Sequence, residues 1–211
     1  SGRRTGQNVL IWSGQDSPAL ASGWRFAREL DQLRAVRFGR PQPARDEKAV
    51  ASANGLALRG LADWARVSSD EETLRSVQLS LEAWAGWGED LPHMVVDGKP
   101  VGSAFLDDVA SLSMAARSAG VQEAEDRWVA MLARFDSERG PTTTHEGHES
   151  WFGRAYRPLD AAVPSPLGLA LRLRALRGED IEPTLREFSG WMHQFPHATE
   201  TLHLALLEFL G

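Results

Sequence analysis

Three pairs of predicted helices constrain the fold of this sequence more than any other feature. Apolar residues recur every three or four positions, which predicts helices beginning near residues 52 and 70, 105 and 121, and 165 and 181. The second helix of each pair has one apolar stripe and a charged opposite face. The first is apolar around most of its circumference, and residues 105–120 carry no charge between Asp108 and Arg117. A helix that is apolar on most sides is buried on most sides, so the pairs predict inner helices surrounded by outer helices.

Two non-helical segments interrupt the helix pairs. Met94–Val101 contains Asp97-Gly98, a dipeptide that favours a tight β-hairpin turn. Residues 141–156 are rich in Thr, His and Gly and predict an irregular loop with short strands. Both segments lead into inner helices, so we expect them at one rim of the fold, where functional residues concentrate. The sequence therefore predicts an all-α protein, a partial α/α toroid of inner and outer helices with short β-hairpin excursions at one rim.

The domain organisation follows from the stop signals along the chain. Residues 1–16 predict an extended segment, and residues 17–211 predict a single helical domain. Its first helix begins at Ser17-Pro18 and ends at Phe38, before a segment rich in Gly and Pro. A last, mostly apolar helix is expected over residues 198–210, either as another inner helix or as an end cap.

Composition excludes several classes of function. The net charge is −6 and the positive charges are dispersed, which argues against a nucleic-acid partner. No apolar run reaches the roughly 20 residues of a membrane span, and the N-terminus lacks a secretory signal pattern. We therefore expect no membrane association and a cytoplasmic protein. The chain has no cysteine, so disulfides and thiolate chemistry are excluded.

Tryptophan is frequent, with eight residues in the chain. Four of them lie in or beside helical stripes and are expected in the core: Trp64, Trp84, Trp128 and Trp191. Trp87 and Trp151 lie at loop edges, where an indole could stack on a sugar ring, although packing is the better interpretation of both.

The order of four short motifs resembles one protein family. Asp46-Glu47-Lys48 followed by Ser52–Ala57 resembles the Asp-Asp-Lys … Ser-Trp-Asn-Gly-Leu signature of the thioredoxin-domain-containing, spermatogenesis-associated family. Asn8–Leu10 is similar to its Gly-x-Asn-Val-Leu element. Ala104–Ala110 resembles its Gly-Phe-Leu-Glu-Asp-Tyr-Ala motif. Residues 157–165 resemble its Arg-Pro-x-Asp … Pro-Ser-Gly-Asn segment. Order and spacing agree over nearly the whole chain.

The resemblance implies the later part of a six-hairpin α/α toroid related to N-acylglucosamine epimerases and glycoside hydrolases. The family's thioredoxin-like domain and first toroid hairpins have no counterpart here. Three family positions carry other side chains, namely Ala53 for Trp, Val109 for Tyr, and Pro166-Leu167 for Gly-Asn. Two functions therefore stay open. One is an isomerase-like or hydrolase-like domain, or a degenerate remnant of one, that handles a carbohydrate or another polar small molecule. The other is a non-catalytic interaction module.

In the second case, the partner is a protein that supplies the missing hairpins and thioredoxin-like domain, or a second copy that covers exposed inner helices. A half toroid would expose a large apolar surface, which monomers rarely tolerate.

The candidate site residues are polar groups near the starts of the predicted inner helices and in the loop before the third pair. We predict catalytic roles for Asp107, Asp108 and His145, with Asp108 as the acid or base. We predict substrate binding by Asp46, Lys48, Asn54, Arg157, Asp160, Ser165 and Trp151, with Arg157 as a clamp for an anion or hydroxyl. The alternative for the charged residues is a network of ion pairs and helix caps that serves the architecture.

The segment His145-Glu146-Gly147-His148-Glu149 invites a metal interpretation, which its spacing argues against. Zinc sites of the zincin type place two histidines four residues apart on a helix, whereas these are three apart in a loop that contains Gly. We therefore predict no metal and no cofactor, and we treat His145 as a candidate for proton transfer.

Overall fold

The computed structural model describes residues 27–148 and 154–211. The chain divides into two compact units, residues 1–46 and 47–211. In the first unit, helix α1 spans Ala27–Phe38, with Glu29 in its first turn and Arg37 in its last, and it buries none of its residues. The predicted helix end at Phe38 is confirmed. The predicted helix start and the predicted boundary at residue 16 lie outside the described residues.

The described part of the second unit is mostly helical, and the all-α class fits it. Every predicted start of the three helix pairs is confirmed to within one residue. The α-helices are α2 (Ala51–Ser68), α3 (Glu71–Ala85), α4 (Leu106–Ala119), α5 (Gln122–Leu132), α6 (Pro166–Leu176), α7 (Glu182–Gln194) and α8 (Glu200–Leu210). Two single-turn 3-10 helices span Ala133–Phe135 and Pro196–Ala198. Within the described ranges, no helix is both long and apolar enough to cross a membrane.

Side-chain caps fix two of these helix starts. The carboxylate of Asp70 accepts a hydrogen bond from the Thr73 amide at 3.0 Å and caps α3. The hydroxyl of Ser165 accepts one from the Gly168 amide at 3.0 Å, and Pro166 occupies the first position of α6. Both residues satisfy backbone donors that have no partner inside the helix.

The small sheet has three antiparallel strands in the order β1-β2-β3, namely Ala49–Val50, Pro92–Val96 and Lys99–Ser103. The predicted hairpin is confirmed: Asp97 and Gly98 adopt φ angles of 49° and 74° and join β2 to β3. This turn pairs Pro92 with Ser103. The strands therefore deliver the chain directly to the start of α4.

The short strands expected within residues 141–156 do not occur in the described part of that segment. Isolated backbone hydrogen bonds, such as that from the Thr143 amide to the Ala155 carbonyl at 2.8 Å, occur there together with side chains that bind backbone carbonyls. The Phe135 carbonyl accepts hydrogen bonds from the Thr142 hydroxyl at 2.9 Å and the Arg154 guanidinium at 2.8 Å. Arg154 also donates to the Asp136 carbonyl at 2.6 Å. These bonds satisfy the loop without β pairing.

The helices differ in burial as the sequence predicts. α2 packs against α4, α4 against α6, and α6 against α8. α4 and α6 are buried over most of their length. The second members bury one face only, as in α3, where Val77, Leu81 and Trp84 are the buried residues. The apolar core therefore follows the row of first members, with α3 and α5 packed behind α2 and α4.

Two of the predicted core tryptophans are not in the core. Trp84 and Trp128 are buried, whereas Trp64 is 61% exposed on α2 and Trp191 is 43% exposed on α7. Periodicity identifies residues that share a helix face, but a second apolar face is buried only if another element covers it. In α2, the covered face contains Leu58, Ala62 and Ala65, and Trp64 points away from it.

α2 and α4 approach each other most closely at Gly55. A Cβ atom on Gly55 would lie 2.6 Å from the Ser111 carbonyl carbon and 2.7 Å from the Leu112 nitrogen. Both are backbone atoms, so a side chain at residue 55 would force the two helices apart. The close approach explains why glycine occupies this helical position despite its entropic cost.

Gly55→Ala is expected to lower the free energy of unfolding by about 1–3 kcal/mol, because it overpacks a backbone contact. Gly60 in the same helix is the matched control, since a Cβ there meets no heavy atom within 4 Å. Gly60→Ala is expected to raise the free energy of unfolding by about 0.5–1 kcal/mol through helix propensity. Urea denaturation measures both. A stabilising effect of Gly55→Ala would contradict the close contact.

Candidate functional site

Asp108 lies at the junction of three structural elements. Its side chain is completely buried in the first turn of α4. Oδ1 accepts a hydrogen bond from the Ser52 amide of α2 at 2.8 Å. Oδ2 accepts one from the Phe105 amide, the cap of α4, at 2.9 Å. One carboxylate therefore binds the amino ends of two neighbouring helices, where the helix dipoles favour negative charge.

The same carboxylate holds an imidazole. Oδ2 of Asp108 lies 2.8 Å from Nδ1 of His93, which belongs to β2. Because an ionised carboxylate only accepts hydrogen bonds, His93 must donate through Nδ1. This leaves Nε2 as the reactive nitrogen, and it has no hydrogen-bond partner among the described residues. An Asp–His pair of this form orients a general base.

Asp107, the neighbour of Asp108, has the opposite environment. Its carboxyl group is partly buried, and the hydrogen bond from its own backbone amide offsets only part of the effect of burial. Burial raises the pKa of Asp107, and the negative charge of Asp108 raises it further. The charges of Arg157 and His93 oppose this rise in the pKa, so both lie within electrostatic range of Asp107. The site thus holds a carboxyl group with a raised pKa within electrostatic range of an oriented imidazole.

Arg157 supplies an exposed positive charge beside Asp107. Its guanidinium forms no hydrogen bond or ion pair with the described part of the chain, although its backbone carbonyl accepts from the Ser165 hydroxyl at 2.6 Å. A guanidinium in this state is available to bind an anionic or hydroxylated ligand.

A line of rings extends from His93 towards the loop. The Phe105 ring lies 5.0 Å from the His93 ring and 4.8 Å from the His148 ring, measured between centroids. His145 continues the line, 5.4 Å from His148 and 5.9 Å from Phe135. His145 therefore borders the same site, but its Nδ1 lies 2.8 Å from the Glu146 carbonyl, and nothing places it beside Asp107.

Asp160 and Ser165 repeat, at the next pair of helices, the arrangement seen at Asp108. Asp160 Oδ1 accepts from the Ser165 amide at 2.6 Å and from the Thr201 hydroxyl at 2.6 Å. Oδ2 accepts from the Thr201 amide at 2.9 Å. The carboxylate therefore joins the starts of α6 and α8. Asn54 also bonds within the fold, because its Nδ2 donates to the Val50 carbonyl at 2.8 Å.

The remaining predicted binding residues are Asp46, Lys48 and Trp151. Asp46 and Lys48 are both exposed, and they lie on either side of the division between the two units. Trp151 lies outside the described residues. Among the side chains that the structure describes, no group of three His, Asp or Glu residues converges as a metal site would.

His93 is the functional residue that sequence reasoning missed. A lone histidine in a predicted strand, fifteen positions before its partner Asp108, carries no motif. The hairpin turn held a usable signal, because its register places His93 opposite Gly102, where a Cβ on Gly102 would lie 3.6 Å from the His93 Cβ. This register brings His93 to the chain segment that begins α4.

Comparison with known proteins gives no relative: no protein-family model matches the chain, and no curated protein matches it. Any functional interpretation therefore depends on the geometry described above.

Asp107→Asn is expected to raise the free energy of unfolding at neutral pH. An acid whose pKa is raised by folding binds its proton more tightly in the folded state, so its contribution to stability falls as pH rises from the ordinary carboxyl range of about 4. Asparagine has no proton to lose, so the variant should be more stable than the natural protein at neutral pH. The difference should vanish below that range, where Asp107 is protonated in both the folded and the unfolded state. Urea denaturation at several pH values measures the difference.

Glu72→Gln is the control for this experiment, because Glu72 is an exposed acid at the same second position of α3. It should only lose the helix-dipole term, about 0.3–1 kcal/mol at neutral pH. If Asp107→Asn were destabilised at neutral pH as Glu72→Gln is, the proposed desolvation of Asp107 would be wrong.

Asp108→Asn is expected to destabilise the protein by about 2–3 kcal/mol. The asparagine side chain has only one oxygen, so its NH₂ group must face one of the two backbone N–H donors that now bind the carboxylate. It should also change which ring nitrogen of His93 carries the proton, which nitrogen chemical shifts of the imidazole report. Asp90→Asn, at an exposed position, is the control. Unchanged imidazole shifts in Asp108→Asn would contradict the positioning role.

Proposed function

We propose that the chain acts on a sugar-like polar small molecule by proton transfer, as an isomerase-like domain. The observation that carries the proposal is a carboxyl group with a raised pKa, Asp107, within electrostatic range of His93, whose imidazole is oriented by the buried Asp108 carboxylate. Such a pair of groups provides one acid and one base at the same site.

In the proposed reaction, Nε2 of His93 removes a proton from the carbon next to a carbonyl group. Asp107 donates its proton to the carbonyl oxygen, which yields an enediol without any cofactor. His93 then returns the proton to the former carbonyl carbon. The Asp107 carboxylate removes the proton from the hydroxyl on the other enediol carbon, which completes an isomerisation. Arg157 binds the substrate's oxygen atoms, and Asp108 acts through His93 as a positioning residue.

The hydrolase-like alternative is less well supported by the geometry. Glycoside hydrolases use two carboxyl groups that both face the substrate. Here the second carboxyl group, Asp108, is completely buried and accepts three hydrogen bonds. It cannot serve as a nucleophile without breaking the starts of α2 and α4. The burial of Asp108 favours a proton-transfer mechanism in which Asp107 and His93 are the two groups that act on the substrate.

The proposed architecture is the later part of an α/α toroid that resembles the thioredoxin-domain-containing, spermatogenesis-associated family. Helices α2, α4, α6 and α8 are its inner helices, and α3, α5 and α7 are its outer helices. The packing of each inner helix against the next supports this interpretation. The near-complete burial of α4 and α6 supports it as well. The site then lies at the amino ends of the inner helices.

Hydrogen exchange with solvent tests the proposal whatever the product is, because proton transfer to carbon introduces a solvent hydrogen. The protein is incubated in deuterated water with aldoses, ketoses and N-acyl hexosamines, and proton NMR follows loss of the signal next to the carbonyl carbon. We expect exchange by the natural protein and a loss of at least about 100-fold in His93→Ala and Asp107→Asn, the usual contribution of an acid or base.

His197→Ala is the matched control, because His197 is an exposed histidine in the 3-10 helix Pro196–Ala198 and is not one of the site residues. It should retain full exchange activity. Absence of exchange with all three classes of sugar, or full activity of His93→Ala, would refute the proposal.

The second candidate is the non-catalytic interaction module. One specific observation favours it: α2 and α8, at the two ends of the row of first members, expose Trp64, Val67 and Leu207. A partner protein that supplies the missing hairpins would cover such side chains. The purified chain alone would then be inactive in the exchange assay and would bind that partner through α2 or α8.

A further inference from the structure

A cleft of about 320 Å³ lies between helices α2, α6 and α8. It is separate from the site described above, because neither His93 nor Asp107 lines it. Two arginines reach it, Arg59 from α2 and Arg172 from α6. Apolar side chains form much of the remaining wall, among them Val163, Leu169 and Leu204. The cleft thus combines positive charge with apolar surface, and its ligand depends on which charges already have partners.

Arg172 is paired within the chain. Its Nε lies 3.1 and 3.0 Å from the two carboxylate oxygens of Glu208, and its Nη2 also donates to that carboxylate. The Arg172 side chain is only 13% exposed. This ion pair joins α6 to α8 and fixes one wall of the cleft.

Arg59 has no comparable partner. Its side chain is only 25% exposed, yet its guanidinium makes no hydrogen bond with a described residue. The one ion-pair contact in the described part of the chain joins its Nε to Oδ2 of Asp63 at 3.9 Å, well beyond hydrogen-bond distance. The five N–H donors of this largely covered guanidinium are therefore not used by the fold.

The electrostatic surroundings of Arg59 also favour an added negative charge. Burial lowers the pKa of Arg59, and the positive charge of Arg172 lowers it further. The charges of Asp63 and Glu208 act in the opposite direction without restoring the pKa. An anion in the cleft would supply the missing compensation, and the planar guanidinium matches the two oxygens of a carboxylate.

The two acids that line the cleft do not neutralise Arg59. The carboxylate of Asp160 is held by the Ser165 amide and by the amide and hydroxyl of Thr201. Glu200 is exposed at the first position of α8 and forms no ion pair with the described part of the chain. Its charge opposes an anion, but contact with water screens it.

We propose that this cleft binds a small organic carboxylate, with Arg59 pairing with the carboxylate group. The hydrocarbon part of the ligand lies against Val163, Leu169 and Leu204. The apolar wall favours such a ligand over inorganic phosphate, which has no apolar surface to bury. This binding site is independent of the proton transfer proposed above.

Titration with acetate, butyrate, hexanoate and inorganic phosphate at low ionic strength tests the proposal. The Nε–Hε signal of Arg59 in a proton–nitrogen NMR spectrum reports the contact directly. We expect this signal to shift with the carboxylates, and the affinity to rise from acetate to butyrate by up to about fourfold for each methylene that is buried. Phosphate that binds as tightly as butyrate would contradict the proposed class of ligand.

Three variants test the role of the charges. Arg59→Gln is expected to weaken butyrate binding by at least about tenfold, since it removes a charge-assisted pair. Glu200→Gln should bind butyrate more tightly, because it removes a repelling charge. Arg66→Gln is the matched control, an exposed arginine of the same helix that does not line the cleft. Backbone amide shifts of residues 160–164 report binding in all three variants.

His93→Ala separates this site from the proposed proton-transfer site. The variant should bind butyrate as tightly as the natural protein, even though we expect it to lose exchange activity. Equal binding by Arg59→Gln and the natural protein, or no shift of the Arg59 signal with any carboxylate, would refute the proposal. Loss of butyrate binding in His93→Ala would show that the ligand occupies the other site.

Discussion

The burial of one carboxylate, Asp108, determines how the central part of this protein is arranged. A charge that leaves water needs compensating hydrogen bonds, and here the Ser52 amide, the Phe105 amide and the His93 imidazole provide them. Each of these donors belongs to a different element. The starts of α2 and α4 and the strand β2 must therefore meet at the carboxylate. A shift of Ser52 would leave Oδ1 without a donor, and a shift of Phe105 or His93 would leave Oδ2 with one donor instead of two.

The hydrogen bonds to Asp108 also give two adjacent acids different properties. Asp107 and Asp108 occupy consecutive positions in the first turn of α4, yet the donors of Ser52, Phe105 and His93 are all directed to Asp108. Asp107 is partly buried without these three hydrogen bonds, and the negative charge of Asp108 adds to the effect of burial, so the pKa of Asp107 is raised. Two acids that are adjacent in sequence thus acquire different properties: one is held by three hydrogen bonds, and the other has a raised pKa. The difference is produced by the surroundings of the helix turn and not by the residues themselves.

Much of the fold could be predicted from the sequence because its signals are local. The period of the apolar residues gives the helices, and Asp97-Gly98 gives the hairpin, since both patterns depend on neighbours within a few positions. The site was only partly predictable. Asp107 and Arg157 stood out as charged groups near the starts of apolar helices, but the bond between His93 and Asp108 joins two elements through the register of the hairpin. No local pattern contains that information.

The same limit explains the error at Trp64. α2 and α4 have similar composition, rich in Ala, Leu and Gly or Ser, and both are apolar on most sides. α4 has neighbours on most sides, namely α2, α5 and α6, and almost every residue in it is buried. α2 lies at the end of the row, where α4 and α3 cover part of its surface and leave Trp64 exposed. Selection for a solvent-exposed helix face would favour charged residues there, because Lys, Glu and Arg keep a surface soluble. The exposed side of α2 that contains Ala53, Ala57, Leu61 and Trp64 has none, so its composition is that of a buried helix side.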